Sequence, residues 1–254
     1  MLKLTFIDTE AAWDEHLHED YASLNRRKHK RHRMSSKRIF AAAALSMHIG
    51  DDGTTSIQGL QSWTEHGYGD EAAVVEALLD HLRYRPDDTV ITWGGLAADL
   101  PLITMAAMEH QLVLPPQLRF GQRVKFGELM PHTDLALTLK DKGRDWAHMS
   151  ELALRMGVPR DLLARKSEVP YPLTVEDWEA ARIHVELDTV LTALVALPWL
   201  RAQGRIRGDT SAIAFHLADW FGRMRAQGTA LAEPMRDLRR RMMDRIERKA
   251  LEVA

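Results

Sequence analysis

The chain has 254 residues, with 34 Lys and Arg, 36 Asp and Glu, 12 His and no Cys, so its formal net charge at pH 7 is −2. This length allows one large domain, or one domain with an extension, and excludes a small scaffold that depends on cross-links. Without cysteine there can be no disulfide framework, thiol nucleophile or thiolate zinc site, and the composition fits a reducing compartment.

The composition is that of a folded protein without a membrane span. Apolar residues make up 45% of the chain and charged residues 28%, which is a globular mixture. The longest uninterrupted apolar stretch, residues 39–45, is shorter than the roughly 18–20 residues that a span needs. The first seven residues lead directly into acidic residues without a small-residue cleavage site, so we expect a cytoplasmic protein.

The charge is unevenly distributed along the chain. Between Arg26 and Arg38 there are eight Lys or Arg and no acid, which leaves 26 basic against 36 acidic residues elsewhere. Such a run is compatible with a solvated loop, a localisation signal or a phosphate-binding segment. Charge alone does not distinguish these alternatives, so the choice depends on where the run lies relative to the other candidate residues.

The first half of the chain predicts strands that alternate with helices. Residues 2–7 predict a buried strand with Asp8 and Glu10 at its end, and residues 39–49 and 54–63 flank a Gly-Asp-Asp-Gly turn and predict a hairpin. Four consecutive alanines in this hairpin would also suit a helix. Residues 70–84 predict an amphipathic helix and residues 89–93 a buried strand. This order implies a parallel crossover connection.

The second half predicts mostly helices. Residues 100–112 predict one helix, Ser150 is expected to cap another that extends to residue 156, and Thr174 and Asp177 are expected to begin a long helix that ends before Pro198. Two more helical segments, residues 211–226 and 234–251, follow. The pattern predicts an α/β domain over residues 1–200 and a helical C-terminal extension over residues 201–254.

Five polar residues have spacings that suit a metal-dependent active site. Asp8 and Glu10 are two apart in a strand, so their side chains leave the same face and can converge on one cation. Asp99 follows a strand, at the edge of a parallel sheet where ligands gather. His184 and Asp188 are four apart and share a helix face, with histidine as a candidate base. Taken singly, each has a structural alternative, namely a polar strand end, a helix cap or a surface pair.

Taken in order, these motifs resemble those of the DEDD superfamily of 3′–5′ exonucleases, in particular the stand-alone exonucleases related to the proofreading domain of family-B DNA polymerases. Residues 6–10 (FIDTE), 92–102 (TWGGLAADLPL) and 184–189 (HVELDT) are similar to the three motifs, and residues 132–135 and 150–159 to two further landmarks. The likeness covers about residues 2–198 and implies a ribonuclease H-like mixed sheet flanked by helices. The chain departs from the family pattern at Gly94, Ala98 and in the spacing of His184.

The resemblance implies hydrolysis of phosphodiester bonds in single-stranded nucleic acid, with DNA favoured. It implies that two Mg²⁺ or Mn²⁺ ions are held by Asp8, Glu10, Asp99 and Asp188, and that His184 orients or deprotonates the attacking water. A nucleic-acid-binding module without turnover and an RNA-trimming exoribonuclease on the same fold remain alternatives.

The basic run begins about fifteen residues after Glu10, so we expect it to lie along the substrate groove and contact phosphates. Its candidate phosphate ligands are Arg26, Arg27, Lys28, Lys30, Arg31 and Arg33, and Trp93 is a candidate for stacking on a base. His132 and Asp134 are expected to be structural. Residues 236–249 contain seven basic and three acidic residues and predict a helix packed on the domain. A dimer contact and a further nucleic-acid surface are the alternatives for this segment. The sequence does not predict the oligomeric state.

Overall fold

A computed structural model describes residues 1–24, 33–119, 129–140, 146–163 and 169–253. Its five strands form one mixed sheet in the order β3-β2-β1-β4-β5. β1 pairs antiparallel with β2 and β2 with β3, whereas β4 is parallel to β1 and β5 is parallel to β4. The strands are β1 (Leu2–Trp13), β2 (Lys37–Ile49), β3 (Thr55–Thr64), β4 (Thr89–Thr92) and β5 (His132–Asp134).

Helices cover both faces of this sheet and make up most of the second half of the chain. Within the described residues they are α1 (Glu15–Leu24), α2 (Glu65–Tyr68), α3 (Glu71–Arg83), α4 (Asp99–Glu109), α5 (Leu135–Lys140), α6 (Met149–Arg155), α7 (Arg160–Leu163), α8 (Val175–Ala202), α9 (Thr210–Met224) and α10 (Ala232–Val253). The predicted α/β class, with a ribonuclease H-like mixed sheet and a helical C-terminal extension, is confirmed by this arrangement.

The alanine run of β2 explains how the two layers approach the sheet. Ala41 and Ala43 belong to the core formed with α8, whereas Ala42 and Ala44 belong to the core formed with α3 and α4. Residues that alternate between two buried faces identify a central strand, and small side chains let helices pack closely on both sides. The prediction of a strand rather than a helix is therefore confirmed.

The first strand is longer than the sequence predicted. β1 continues to Trp13 because its pairing with β2 continues to the Trp13–Lys37 pair, past a register shift between Glu10 and Ala11. Asp8 and Glu10 therefore lie inside a paired strand and not at its end, where the sequence predicted them. The helix α1, between β1 and the basic run, was also not predicted, since only a partly apolar face distinguishes it from a loop.

Two helix boundaries also differ from prediction. His148, not Ser150, caps α6: its Nδ1 accepts the Ser150 N–H at 3.3 Å, and Glu151 Oε2 accepts the His148 N–H at 3.1 Å. The long helix α8 passes through Pro198 to Ala202. A proline inside a helix removes one backbone hydrogen bond, but burial of α8 on both sides of Pro198 offsets that loss.

Among the helices of the described residues, α8 alone is long and apolar enough to cross a membrane, with a mean hydropathy of 1.4 over its 18-residue window. However, 78% of that window is buried inside the protein, as in the core helix of a folded domain. The same core includes Leu4 and Phe6 of β1 together with Leu217 of α9 and Leu238 of α10. The C-terminal helices thus pack on the α8 side of the sheet, while the boundary at residue 200 stays a prediction.

Candidate active site

An acidic cluster with one histidine forms where β1 faces α8. His184 Nε2 lies 3.3 Å from Glu10 Oε1 and 3.9 Å from Asp188 Oδ2. One ligand atom from each of these three residues lies within 4.8 Å of the others. His184 and Asp188 reach the cluster together because a separation of four residues places both on one face of α8. Two carboxylates and an imidazole in this arrangement could hold a metal ion.

Asp8 and Glu10 leave β1 on the face that packs against α8. The strand alternation places them on the same side as Leu4 and Phe6, whose side chains belong to the α8 core. Within the described residues, the group of three mutually close ligands comprises Glu10, His184 and Asp188, and Asp8 is outside it. The structure therefore places Asp8 beside this group on β1, two residues before Glu10.

Asp99 reaches β1 through Thr9, the residue between the two strand acids. Its Oδ1 accepts the Thr9 hydroxyl at 2.5 Å and the Thr9 backbone N–H at 3.2 Å. Asp99 is buried at the start of α4, and burial raises its pKa to about 6, against the lowering effect of the two Thr9 hydrogen bonds. Sequence reasoning missed Thr9, although its position between Asp8 and Glu10 was a usable signal.

Asp134 and His132 hold the turn that leads to Asp99. Asp134 accepts the backbone N–H groups of Gly94 and Leu96, each at 2.9 Å, and His132 Nε2 lies 2.9 Å from Thr92 Oγ1. Burial lowers the pKa of His132 to about 4, so the ring is neutral at neutral pH. These contacts confirm the structural role predicted for His132 and Asp134.

Two of the three departures from the motifs that the chain resembles, Gly94 and Ala98, lie on this turn and beside it. Gly94 has a φ of +74°, a left-handed conformation that only glycine and, less readily, Asn adopt without strong strain. Glycine is therefore compatible with the backbone where the family usually has Asn. Ala98, in place of an aromatic residue, lines an open cleft beside Asp99.

That cleft has a volume of about 640 Å³ and includes Glu10 and Asp99 in its lining. Two exposed aromatic side chains also line it, Trp13 at 40% and Tyr171 at 47% relative exposure. Lys37 Nζ lies 4.6 Å from the Trp13 ring centroid, and the Tyr171 hydroxyl donates to Glu65 Oε2 at 2.8 Å. Sequence reasoning missed all three lining residues, although Pro170-Tyr171-Pro172 signals a stiff segment.

Most of the predicted basic segment lies outside the described residues, namely Arg26, Arg27, Lys28, Lys30 and Arg31. Arg33 is described and exposed. Arg38 is not in a loop but in β2, where its guanidinium pairs with Asp14, Glu71 and Glu109 at 2.8–3.1 Å. Phosphate contact by this segment therefore stays a prediction. Trp93 is partly buried against the α8 core, and its stacking on a base also stays a prediction.

A second group of possible metal ligands, Glu71, Glu109 and His110, surrounds Arg38. Arg38 Nη1 lies 3.1 Å from Glu71 Oε2 and 3.0 Å from Glu109 Oε2, and His110 Nε2 is 3.4 Å from Glu71 Oε2. The Arg38 guanidinium already pairs with both carboxylates, so this group is an ion-pair network that connects β2 to α3 and α4.

No protein-family model and no curated protein matches the chain. Among solved structures, it is similar to a family B DNA polymerase from the hyperthermophilic archaeon Pyrobaculum calidifontis, with 12% identity and a TM-score of 0.47 over 87% of this chain and 29% of that one. It is also similar to the zinc-bound form of an E. coli exonuclease I complex with single-stranded DNA (11% identity, TM-score 0.43, 87% of this chain and 43% of that one). A third match is E. coli exonuclease I with a dA13 oligonucleotide (10% identity, TM-score 0.40, 80% and 42%). The chain thus spans less than half the length of each of these proteins.

Proposed function

We propose that this protein is a metal-dependent 3′–5′ exonuclease of the DEDD superfamily that hydrolyses single-stranded nucleic acid, with DNA favoured over RNA. The observation that carries the proposal is the convergence of Glu10 from β1 with His184 and Asp188 from α8. Asp8, on the same face of β1, and Asp99, bound to Thr9, add the remaining two acids that the resemblance implies.

The donor set fits the proposed cation. Carboxylate oxygens from a few residues, completed by substrate phosphate and water, are the ligands that Mg²⁺ prefers. When bound, two Mg²⁺ or Mn²⁺ ions would neutralise the phosphodiester charge and lower the pKa of the attacking water. Asp8, Glu10, Asp99 and Asp188 would hold them.

His184 is the proposed general base. Its ring is mostly buried, and its Nε2 lies 3.3 Å from Glu10 Oε1 and 3.9 Å from Asp188 Oδ2. The ring therefore stands beside two of the proposed metal ligands, within reach of a water molecule bound there. The same carboxylates repel a phosphodiester, so substrate binding and hydrolysis should both require a divalent cation.

The cleft beside Glu10 and Asp99 supports a single-stranded substrate. Exposed aromatic rings such as Trp13 and Tyr171 can stack on unpaired bases, whose faces are accessible only when they are not paired in a duplex. Lys37, next to the Trp13 ring, can contact a phosphate. None of these contacts reads the sugar, so the preference for DNA is the part of the proposal that matched DNA and RNA strands must test.

The test is a time course with single strands labelled at either the 3′ or the 5′ end, in Mg²⁺ and in chelator. We expect immediate release of labelled mononucleotide from the 3′-labelled strand, a descending ladder from the 5′-labelled strand, and no product in chelator. Asp8→Ala and Asp188→Asn should each lower kcat at least a hundredfold, because each removes a proposed metal ligand.

Glu176→Gln is the matched control for Asp188→Asn. Glu176 lies on the same helix and is exposed in its first turn, so its substitution should leave the rate unchanged. Wild-type activity in Asp8→Ala would contradict the assignment. Strand binding without product in any metal would indicate the nucleic-acid-binding module, and faster release from RNA would indicate an exoribonuclease. A cytoplasmic location stays a prediction from the N-terminal sequence.

A further inference from the structure

The C-terminal extension is basic, although the chain as a whole is slightly acidic. Residues 201–254 contain 12 Lys and Arg against 7 Asp and Glu, whereas residues 1–200 contain 22 against 29. Eleven of the twelve basic residues are arginines. Arginine is the residue that binds phosphate oxygens through two parallel N–H donors, so this composition suits a phosphate-rich partner.

Some of these arginines surround a groove between α9 and α10. The groove has a volume of about 450 Å³. Small and apolar residues form part of its lining, and three arginines border it. These residues are Ala218, Gly222, Ala232 and Met235, with Arg223, Arg236 and Arg239. An apolar lining with guanidinium groups at its border can accommodate a nucleotide unit, with the base or sugar inside and the phosphate at the border.

One carboxylate orients two of the three arginines. Asp219 Oδ2 lies 2.7 Å from Arg223 Nη2, and Asp219 Oδ1 lies 2.7 Å from Arg239 Nη1. A single negative charge cannot neutralise two guanidinium groups, and each guanidinium has five N–H donors. Arg236, which pairs with Glu233, has a side chain that is 67% exposed, and that of Arg223 is 71% exposed. The groove therefore keeps positive charge and donors directed to solvent.

The groove is connected to the helix that carries the candidate active site. Gln227 and Gly228, which line it, follow Arg225. The Arg225 guanidinium donates to the Leu60 carbonyl at 2.6 Å and lies 3.8 Å from Glu186 Oε1. Glu186 is two residues from Asp188 on α8, so Arg225 connects the segment that lines the groove to the helix of the carboxylate cluster.

From these observations we infer that the α9–α10 groove binds the phosphodiester backbone of single-stranded nucleic acid, at a second contact separate from the cleft that receives the 3′ end. This inference rests on the proposed function for the identity of the ligand. It gives the arginines a role that a packed surface helix does not require, and it makes binding depend on strand length.

The test measures binding of 4- and 24-nucleotide strands by fluorescence anisotropy, with the full chain in the Asp188→Asn background so that strands stay intact. The test variant is Arg223→Gln with Arg236→Gln, which leaves the Asp219–Arg239 pair in place. The control is Arg240→Gln with Arg241→Gln, which removes the same charge from the same helical region, where both residues pair with Asp237 outside the groove lining.

We expect the test variant to raise the Kd of the 24-mer about tenfold and to reduce the slope of log K against log salt by about 1.4, since each single-strand phosphate contact contributes about 0.7. The 4-mer and the control variant should change less than twofold. An unchanged 24-mer Kd, an equal loss for both strand lengths, or an equal loss in the control would overturn the inference. The two proposals can fail separately. If the wild type hydrolyses no strand but the test variant still loses affinity for the 24-mer alone, the exonuclease proposal is wrong and the inference about the groove is supported.

Discussion

Among single residues, the three successive side chains Asp8, Thr9 and Glu10 alternate between the two faces of β1 and therefore have two different roles. Asp8 and Glu10 face α8, and Thr9, between them, faces the opposite layer and binds Asp99. The two-residue period of a strand makes this division unavoidable. Thr9, which is not a proposed metal ligand, thus positions Asp99, an acid 90 residues away in the sequence.

We predict that Thr9→Val lowers kcat about tenfold with little change in KM. Valine keeps the shape of threonine and the backbone hydrogen bond, but removes the hydroxyl that orients Asp99. The lost hydrogen bond should also cost about 1–3 kcal/mol in the free energy of unfolding, because a charged acceptor loses its donor. Steady-state kinetics and urea unfolding measure the two effects.

Thr9→Ser is the control for this substitution, since it restores the hydroxyl. Recovery of kcat in Thr9→Ser would identify orientation of Asp99 as the cause. Equal loss in both variants would instead show that packing of the threonine methyl group matters, and would remove Thr9 from the set of positioning residues.

At the scale of elements, α8 is held in place by a buried charge. Glu186 has a side chain that is 1% exposed, and its Oε1 accepts from Arg182 Nη1 and from Ser62 Oγ of β3, each at 2.6 Å. Arg225, after α9, lies 3.8 Å away. These contacts fix α8 against the sheet and against α9, and therefore set where His184 and Asp188 stand relative to β1.

We predict that Arg182→Ala destabilises the protein by about 3 kcal/mol, because it leaves the buried Glu186 carboxylate with reduced compensation. Arg236→Ala breaks a pair of the same type between two exposed side chains (67% and 79%) and should cost less than about 1 kcal/mol. Urea unfolding compares the two. Equal losses would show that the buried pair does not hold α8.

At the scale of the whole molecule, buried histidines make stability depend on pH. Burial lowers the pKa of His81 and of His132 to about 4 in each case. His81 lies in α3, where its Nε2 is 3.1 Å from Ser46 Oγ and its Nδ1 is 2.8 Å from Gln61 Oε1. The unfolded chain, with a histidine pKa near 6.5, binds protons first as the pH falls.

The two neutral histidines should therefore contribute fully to the free energy of unfolding above about pH 6.5. That contribution should decrease as the pH falls toward 4. Each histidine contributes about 2 kcal/mol to the decrease between pH 7 and pH 5. Asp99 opposes it by about 1 kcal/mol, because its pKa is raised to about 6 and the folded state then takes up that proton first. The net expectation is a loss of about 2–3 kcal/mol at pH 5 in metal-free buffer.

His81→Gln tests this account, since glutamine does not titrate. Urea unfolding of the wild type and the variant at pH 7 and pH 5 should show a smaller acid-dependent loss in the variant, by about 2 kcal/mol. An identical pH dependence of the two proteins would exclude His81 as a source of the acid sensitivity, whatever the variant's stability at pH 7.

Much of the fold was predictable because its signals are local. The apolar run of residues 2–7, the Gly-Asp turn after β2, the Asp70 cap of α3 and the Thr174–Asp177 cap of α8 all act within a few residues. The errors arose where contacts with residues distant in the sequence determine where an element ends. β1 continues past Glu10 because β2 is there to pair with it, and α8 continues through Pro198 because the surrounding core stabilises it.

For the candidate site, local sequence patterns were enough to predict which acids share a face of one element, namely Asp8 with Glu10 and His184 with Asp188. The folded chain was needed to show that Glu10 lies beside His184 and Asp188, and that Thr9 binds Asp99. It was also needed to show that Trp13, Lys37 and Tyr171 line the adjoining cleft. Strand and helix periods act over neighbouring residues, whereas the Thr9–Asp99 and Glu10–His184 contacts join residues 90 or more positions apart. Their approach depends on the packing of the whole core.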